Sequence, residues 1–246
     1  MGENLQKIIP LIAYYCQCQD EELIEYSLQA FEAFVRRCPK EIANYIKPIM
    51  DLSLKYISYD PNYNYDDEEE ADDENGMDQD ENDPDQENDQ DDYSDDDDVS
   101  WKIRRAAAKC LDAIISSRHE MLTCFYSDVS PILISRFKER EETVKGDIFN
   151  VYITILQQTR PLVLKSKPES SLNTKDNLVE SEERPVVLLR AQINSIVKSI
   201  QKLMRLKNAK TRQGCFSLLT QLVNVLPGAL NNHLAQIVPG INYSLK

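Results

Sequence analysis

The feature of this sequence that most restricts its fold is a unit of about 40 residues that recurs along the chain. Four copies of an apolar segment carry a proline at the same place and a fifth carries a lysine; these positions are Pro10, Pro48, Pro131, Lys198 and Pro239. The interval is 38 residues from Pro10 to Pro48 and 41 from Lys198 to Pro239. Such a period predicts a repeat architecture in which each unit buries its faces only against its neighbours.

Each unit continues into a second apolar pattern that has the period of an α-helix. The pattern begins thirteen residues after the proline column at Leu23, Val144 and Thr211, and at Ile103 once an acidic segment is set aside. Residues at offsets 4, 7, 8 and 11 from each start fall on one helix face and are of types found in protein interiors. They are Ser27, Ala30, Phe31, Phe34, Ala107, Cys110, Leu111, Ile114, Ile148, Val151, Tyr152, Ile155, Cys215, Leu218, Leu219 and Leu222. Paired helices at this period predict an all-α solenoid of HEAT repeats, with about four and a half helix pairs.

The whole chain, residues 1–246, is thus predicted to form a single HEAT-repeat solenoid segment. The predicted helix pairs are 4–18 with 20–37, 40–58 with 99–117, 119–138 with 140–158, and 186–206 with 208–226, followed by an unpaired helix at 229–245. No period-2 run bounded by turn residues indicates a strand. We expect the chain to be a piece of a longer solenoid, because the last unit stops after its first helix and no polar capping repeat opens the chain.

Two segments interrupt the pattern. Residues 66–98 hold 21 Asp or Glu residues among 33 and no Lys or Arg, so that without them the formal charge of −14 becomes +7. Such a segment offers too little apolar surface to offset chain entropy, and it repels itself. We therefore predict a disordered acidic insertion at 62–98, in the second repeat. Residues 161–185 are polar with prolines near both edges and predict a second, weaker insertion.

Composition and motifs do not point to an enzyme. The six cysteines are scattered without zinc-ligand spacing, His119 and His233 are interpreted as structural, and there is no Gly-rich phosphate loop. No group of residues resembles a nucleophile with its base and orienting partner. No apolar run is long enough to span a bilayer. The predictions are accordingly no catalysis, no cofactor, no metal, no membrane and no small-molecule substrate.

The charged residues at the start of the second helices are the candidate functional surface. In a HEAT solenoid these helices line the concave side, so their basic residues predict a continuous partner-binding ladder formed by Lys102, Arg104, Arg105, Lys109, Lys145 and Arg212. The alternative is that Arg104 and Arg212 bond to neighbouring repeats. Ser94 precedes four aspartates, the pattern favoured by acid-directed kinases, and is a candidate phosphosite.

Four strings beyond the repeat pattern resemble the cullin-associated and neddylation-dissociated proteins. They are YISYDPNYNYD from Tyr56, YSDDDDVSWKIRRAAAKCLDAIISSRHEML from Tyr93, SRFKEREETVKGDIFNVY from Ser135 and LVNVLPGALNNH from Leu222. The resemblance runs from about residue 5 to residue 246 and is to an internal window in the N-terminal half of that family. It implies a non-catalytic HEAT-repeat solenoid that binds unmodified cullin–RING scaffolds and promotes exchange of their substrate-receptor modules.

The same resemblance implies that the partners are a cullin and its RING subunit, in the cytoplasm and nucleus. A nuclear-transport-type HEAT receptor, which would share the fold and an acidic loop, is the alternative function. A nucleic-acid scaffold would use the +7 remainder, but the tethered acidic segment opposes phosphate binding, so no nucleic-acid partner is predicted.

Overall fold

The computed structural model of the chain describes residues 2–61, 99–165 and 176–244. All regular structure in these ranges is helical, with no strand, which confirms the predicted all-α solenoid. The first helices of the units are α1 (Gly2–Tyr15), α3 (Ile46–Tyr56), α5 with α6 (Leu122–Cys124 and Ser130–Ser135), α8 (Asp176–Leu203) and α10 (Leu234–Ser244). Helices α5 and α6 are continuous through a π-helical segment, Phe125–Val129. The second helices are α2 (Glu21–Arg37), α4 (Ser100–Ser117), α7 (Glu142–Lys165) and α9 (Ala209–Val225).

The second helices form one continuous layer. Helix α2 packs on α4, α4 on α7 and α7 on α9. The first helices of the first four units each pack against the second helix of their own unit, and α10 packs against α8. The predicted apolar face is the core of this layer: Phe31, Leu111, Tyr152 and Leu222 are all buried. Of the sixteen predicted core residues, only Ala30 and Phe34 remain half-buried, because α2 has a second-helix neighbour on one side only among the described residues.

Local signals explain where the second helices begin. The Asp20 side chain caps α2 by accepting from the Leu23 backbone N–H at 3.1 Å. Asn208 caps α9 in the same way, accepting from Lys210 at 2.8 Å and Thr211 at 3.2 Å. These side chains satisfy backbone donors that the first turn of a helix leaves unpaired. These two caps fix the residue at which α2 and α9 begin; α4, whose N-cap is Val99, has no side-chain cap.

The predicted end of the third unit's second helix at residue 158 is wrong. Helix α7 continues through Pro161 to Lys165, and α8 begins at Asp176 and contains Pro185. An interior proline leaves the carbonyl four residues earlier without its donor, and for Pro161 that residue is Gln157, which is exposed. The predicted insertion at 161–185 therefore overlaps helical residues on both sides, and 166–175 lie outside the described residues.

The predicted acidic insertion at 62–98 also lies outside the described residues. Its two flanks meet, however, as the repeat pairing predicts. Helix α3 packs against α4, and the Arg104 guanidinium on α4 donates to the Tyr59 carbonyl at 3.0 Å and to the Ser100 hydroxyl at 2.7 Å. Tyr59, before the acidic segment, and Ser100, after it, thus both bond to the side chain of Arg104.

Candidate partner-binding surface

Arg104, the central residue of the predicted ladder, is fully buried and faces no solvent. Its Nη1 lies 3.4 Å from Asp60 and its Nη2 donates to Glu139 Oε1 at 3.1 Å. Glu139 belongs to the turn between α6 and α7, so Arg104 joins the second unit to the third. The ladder prediction is wrong for Arg104, and the alternative of a bond between neighbouring repeats is correct there.

Two further arginines complete this buried ion cluster, which comprises Asp60, Arg104, Arg136, Glu139 and, at its solvent-exposed edge, Arg140. Arg136 pairs with Glu139, and Arg140 makes two bonds of 3.2 Å to the carboxylate of Asp60. The side chains of Asp60 and Glu139 are no more than 1% exposed. Buried charges are tolerated only when they are paired and hydrogen-bonded. The turn at 136–140 is therefore held over α4 by three guanidinium groups and two carboxylates.

Lys145, at the equivalent position of α7, is also buried. Its Nζ lies 2.8 Å from Glu142 and 3.4 Å from the Thr211 hydroxyl on α9, and Thr211 bonds both oxygens of Glu142 at 2.8 Å. Lys145 thus joins the third unit to the fourth and cannot contact a partner across the exposed face. The ladder prediction is wrong here as well, since the ammonium group is enclosed at the contact between α7 and α9.

Arg212 and Arg105 are half-buried and already bonded. Arg212 donates to the carbonyls of Leu206 and Lys207 at 3.2 and 3.1 Å, in the turn that precedes α9. It therefore stabilises its own unit rather than a neighbouring one. Arg105 pairs with Asp147 of α7 at 3.0 Å while 40% of its side chain remains exposed. Only Arg105 of these two lies on the outer face of the second-helix layer.

Lys102 and Lys109 are the two ladder residues that are exposed. They lie three residues before and four residues after Arg105, so all three share one face of α4. The Lys102 ammonium lies 5.8 Å from the Trp101 ring, and neither lysine forms an ion pair with a described residue. The predicted continuous ladder is thus reduced to a basic face on α4, and its role in partner binding stays a prediction.

Sequence reasoning missed a set of polar bonds that cross the exposed face from helix to helix. Arg36 of α2 lies 3.1 Å from Asp112 of α4, and Asp112 accepts from the Thr154 hydroxyl of α7 at 2.8 Å. Burial opposes the charge of Arg36, but its bonds to Glu32 and Asp112 outweigh this and raise the pKa of the guanidinium. The sequence shows oppositely charged residues in adjacent repeats, which could have suggested ion pairs between helices. Only the packing of the helices shows which of these residues contact each other.

A groove lies over the contact between α7 and α9, beside the basic face of α4. It has a volume of about 380 Å³, and Arg105, Gly146, Asp147, Lys210 and Gln213 are among its lining residues. The half-buried Ile153 and the edge of the buried Phe149 supply its apolar lining. The lining also includes the carboxylates of Glu142 and Asp147, which pair with Lys145 and Arg105. Lys210 is exposed and forms no ion pair with a described residue, so it is the basic group of the lining that is not already paired.

The remaining candidate features are the cysteines, possible metal ligands and possible membrane-spanning helices. All six cysteines are free, and burial raises the pKa of Cys16, Cys110 and Cys215 to about 12, so these thiols stay protonated. Within the described ranges, no cluster of His, Cys, Asp and Glu has the arrangement of a metal site. The helices described are each too short or too polar to cross a bilayer. Ser94, the predicted phosphosite, lies outside the described residues and stays a prediction.

No protein-family profile matches the chain. Individual proteins do. The chain is 47% identical over 245 residues to mouse cullin-associated NEDD8-dissociated protein 2, and 49% identical over 242 residues to the protein 1 of Drosophila melanogaster. It is 47% identical over 247 residues to the protein 1 of Arabidopsis thaliana.

These matches cover 98–100% of the chain but only 18–19% of each relative. Matches of this degree are found in two animals and a plant. Because the match extends over the whole sequence, it covers every helix described above. The chain therefore belongs to the family of cullin-associated NEDD8-dissociated proteins, as the homologue of a segment that makes up 18–19% of their length.

Proposed function

We propose that this chain is a non-catalytic HEAT-repeat scaffold that binds cullin–RING ubiquitin ligases whose cullin carries no NEDD8. The observation that carries the proposal is the identity of 47–49% over 98–100% of the chain to proteins named as cullin-associated and NEDD8-dissociated. The proposed partners are the cullin and its RING subunit. The proposed consequence is assembly and exchange of substrate-receptor modules, in the cytoplasm and nucleus.

The structure supports such a role through the exposed side of its second-helix layer. Lys102, Lys109 and Lys210 project from two helices of this layer without ion pairs to described residues. Charges of this kind steer association with acidic surfaces and contribute to on-rate more than to affinity. The relatives do not favour the alternative of a nuclear-transport receptor.

A pull-down with purified components tests the proposal. The chain is immobilised and offered a cullin–RING complex, either unmodified or with NEDD8 attached to the cullin. We expect retention of the unmodified complex and strongly reduced retention of the modified one. Equal retention of both forms, or of neither, would overturn the proposal, and equal retention would favour a binding role that is insensitive to the modification.

A charge-reversal pair locates the contact. Lys102→Glu with Lys109→Glu should slow association with the unmodified complex, while Lys7→Glu with Lys40→Glu, which makes the same change of charge at exposed residues elsewhere, should not. The exchange step is measured separately, as the rate at which a labelled substrate receptor leaves the complex when the chain is added. An unchanged rate would remove the exchange function and leave the binding function in place.

A further inference from the structure

Two glycines of the second-helix layer, Gly146 and Gly214, differ in how much space surrounds them. A Cβ atom at Gly214 of α9 would lie 2.4 Å from the Phe149 ring of α7, so the close packing of these helices requires a glycine there. A Cβ atom at Gly146 of α7 would meet nothing within 4 Å. A glycine inside a helix is unfavourable relative to alanine. Packing within the described chain therefore explains Gly214 but not Gly146.

Gly146 lies at the surface, in the groove between α7 and α9. A helical position that lacks a side chain and opens to solvent is one where another backbone can approach closely. Lys210 lies on one side of it, across the groove. On the other side lies the face of α4 that carries Lys102, Arg105 and Lys109, of which Arg105 reaches the groove and bonds Asp147. The bare backbone is thus flanked by basic residues on both neighbouring helices.

We propose that Gly146 marks a docking surface for an acidic peptide segment of a partner protein. The segment lies across α7 at Gly146, with its carboxylates towards Lys102, Lys109 and Lys210 and an apolar side chain towards Phe149 and Ile153. Charge complementarity selects this occupant, because these three lysines form no ion pairs with described residues. The inference goes beyond cullin binding, since it specifies the chemistry of the ligand and is tested without a cullin.

A peptide fits this surface better than a nucleic acid does. The apolar groups in the groove suit a side chain, and residues 66–98, with 21 acids, are tethered directly before α4 and would repel a long polyanion. A short acidic peptide is repelled less because it carries fewer charges. Residues 66–98 are also a potential competitor in the same chain, so the experiment must separate the two.

The probe is a fluorescein-labelled peptide rich in Glu and Leu, with a matched peptide in which every Glu is Gln. Binding is measured by fluorescence anisotropy on the intact chain and on a variant in which the acids of 66–98 are changed to Asn and Gln. We expect binding of the Glu peptide to at least one of the two, weakening as salt rises because exposed charges are screened. Tighter binding to the neutralised variant would identify the chain's own acidic segment as a competitor for the surface.

Two substitutions decide the location. Gly146→Gln should weaken binding about tenfold by filling the approach to the backbone, while the melting temperature stays equal or rises, because Gln is the better helix former. Ala33→Gln, at an exposed position of α2, is the matched control and should change neither quantity. Lys102→Glu with Lys210→Glu should also weaken binding about tenfold, and Lys7→Glu with Lys40→Glu should not.

Absence of binding to both forms of the chain would overturn the proposal. Equal weakening by the test and control charge pairs would do so too, because it would show only a general response to net charge. Binding of the Gln peptide as tight as that of the Glu peptide would contradict the acidic chemistry. A lower melting temperature in Gly146→Gln would contradict the open surface, and the lysine pair would then still test the charges.

Discussion

Arg104 and Lys145 occupy equivalent positions in successive repeats, but the contacts that they make differ in chemistry. Arg104 enters a cluster of three arginines and two carboxylates with Asp60 and Glu139 almost fully enclosed. Lys145 has one carboxylate, Glu142, whose side chain is 29% exposed, and one hydroxyl, that of Thr211. The first contact joins three separated segments of chain, and the second joins two helices. Equivalent positions in a repeat thus carry unequal shares of its stability.

The difference follows from the two side chains. A guanidinium presents five donors in a planar fork and reaches several acceptors at once, whereas an ammonium is a compact charge. Arg104 contacts the Tyr59 carbonyl, the Ser100 hydroxyl and two carboxylates. The described residues that flank the acidic segment, Asp60 and Ser100, therefore both bond to Arg104.

The largest effect is expected from Arg104→Met. Removing one member of a buried ion network leaves uncompensated charge inside the protein, which costs about 3–5 kcal/mol of unfolding free energy. Arg136 and Arg140 still pair with the two carboxylates, which places the expected loss towards the lower end of that range. Urea unfolding followed by circular dichroism measures it, with the exposed Lys109→Met as control. A loss below about 1 kcal/mol would show that the remaining arginines suffice.

Lys145→Met should have a smaller effect. The bonds between Thr211 and Glu142 remain, and Glu142 retains partial access to water, so we expect a loss of about 2 kcal/mol. The same urea experiment measures it. If Lys145→Met proved as destabilising as Arg104→Met, the two contacts would be energetically equivalent and the comparison above would fail.

Gly214→Ala should destabilise the contact between α7 and α9 by about 1–2 kcal/mol, because the new Cβ overlaps the Phe149 ring and forces it to move. Gly146→Ala, the same change in the neighbouring second helix, should instead stabilise the chain by about 0.5–1 kcal/mol. Thermal unfolding of both variants checks the opposite signs. Two shifts of the same sign would contradict the assignment of different roles to the two glycines.

The smallest effect is expected for the half-buried pair of Arg105 with Asp147. A double-mutant cycle to alanine should give a coupling of about 0.2–1 kcal/mol, which falls as salt is added because solvent still reaches both side chains. The cycle compares the energy of this partly exposed contact between repeats with that of the buried contacts. A coupling above about 2 kcal/mol, insensitive to salt, would show that this pair is effectively desolvated.

Periodicity predicts most of the fold because it reports a local property, namely which face of each helix is apolar. It identified the second helices and their buried residues, among them Leu111 and Ile155. It misplaced the end of α7, because an interior proline is unfavourable in a helix but can be accommodated with a bend. The residue whose carbonyl loses its donor to Pro161 is Gln157, which is exposed.

By itself, the sequence determined the solenoid, the pairing of helices around the acidic segment and the family. Only the tertiary structure decided which basic residues are exposed and which are buried between repeats. Arg104 is covered by a turn 35 residues away, and Lys145 contacts a hydroxyl 66 residues away. Periodicity cannot encode such contacts, because the cover over a residue depends on which segment of the next repeat lies above it. For the same reason, only packing could show that Phe149 requires Gly214 while Gly146 remains open.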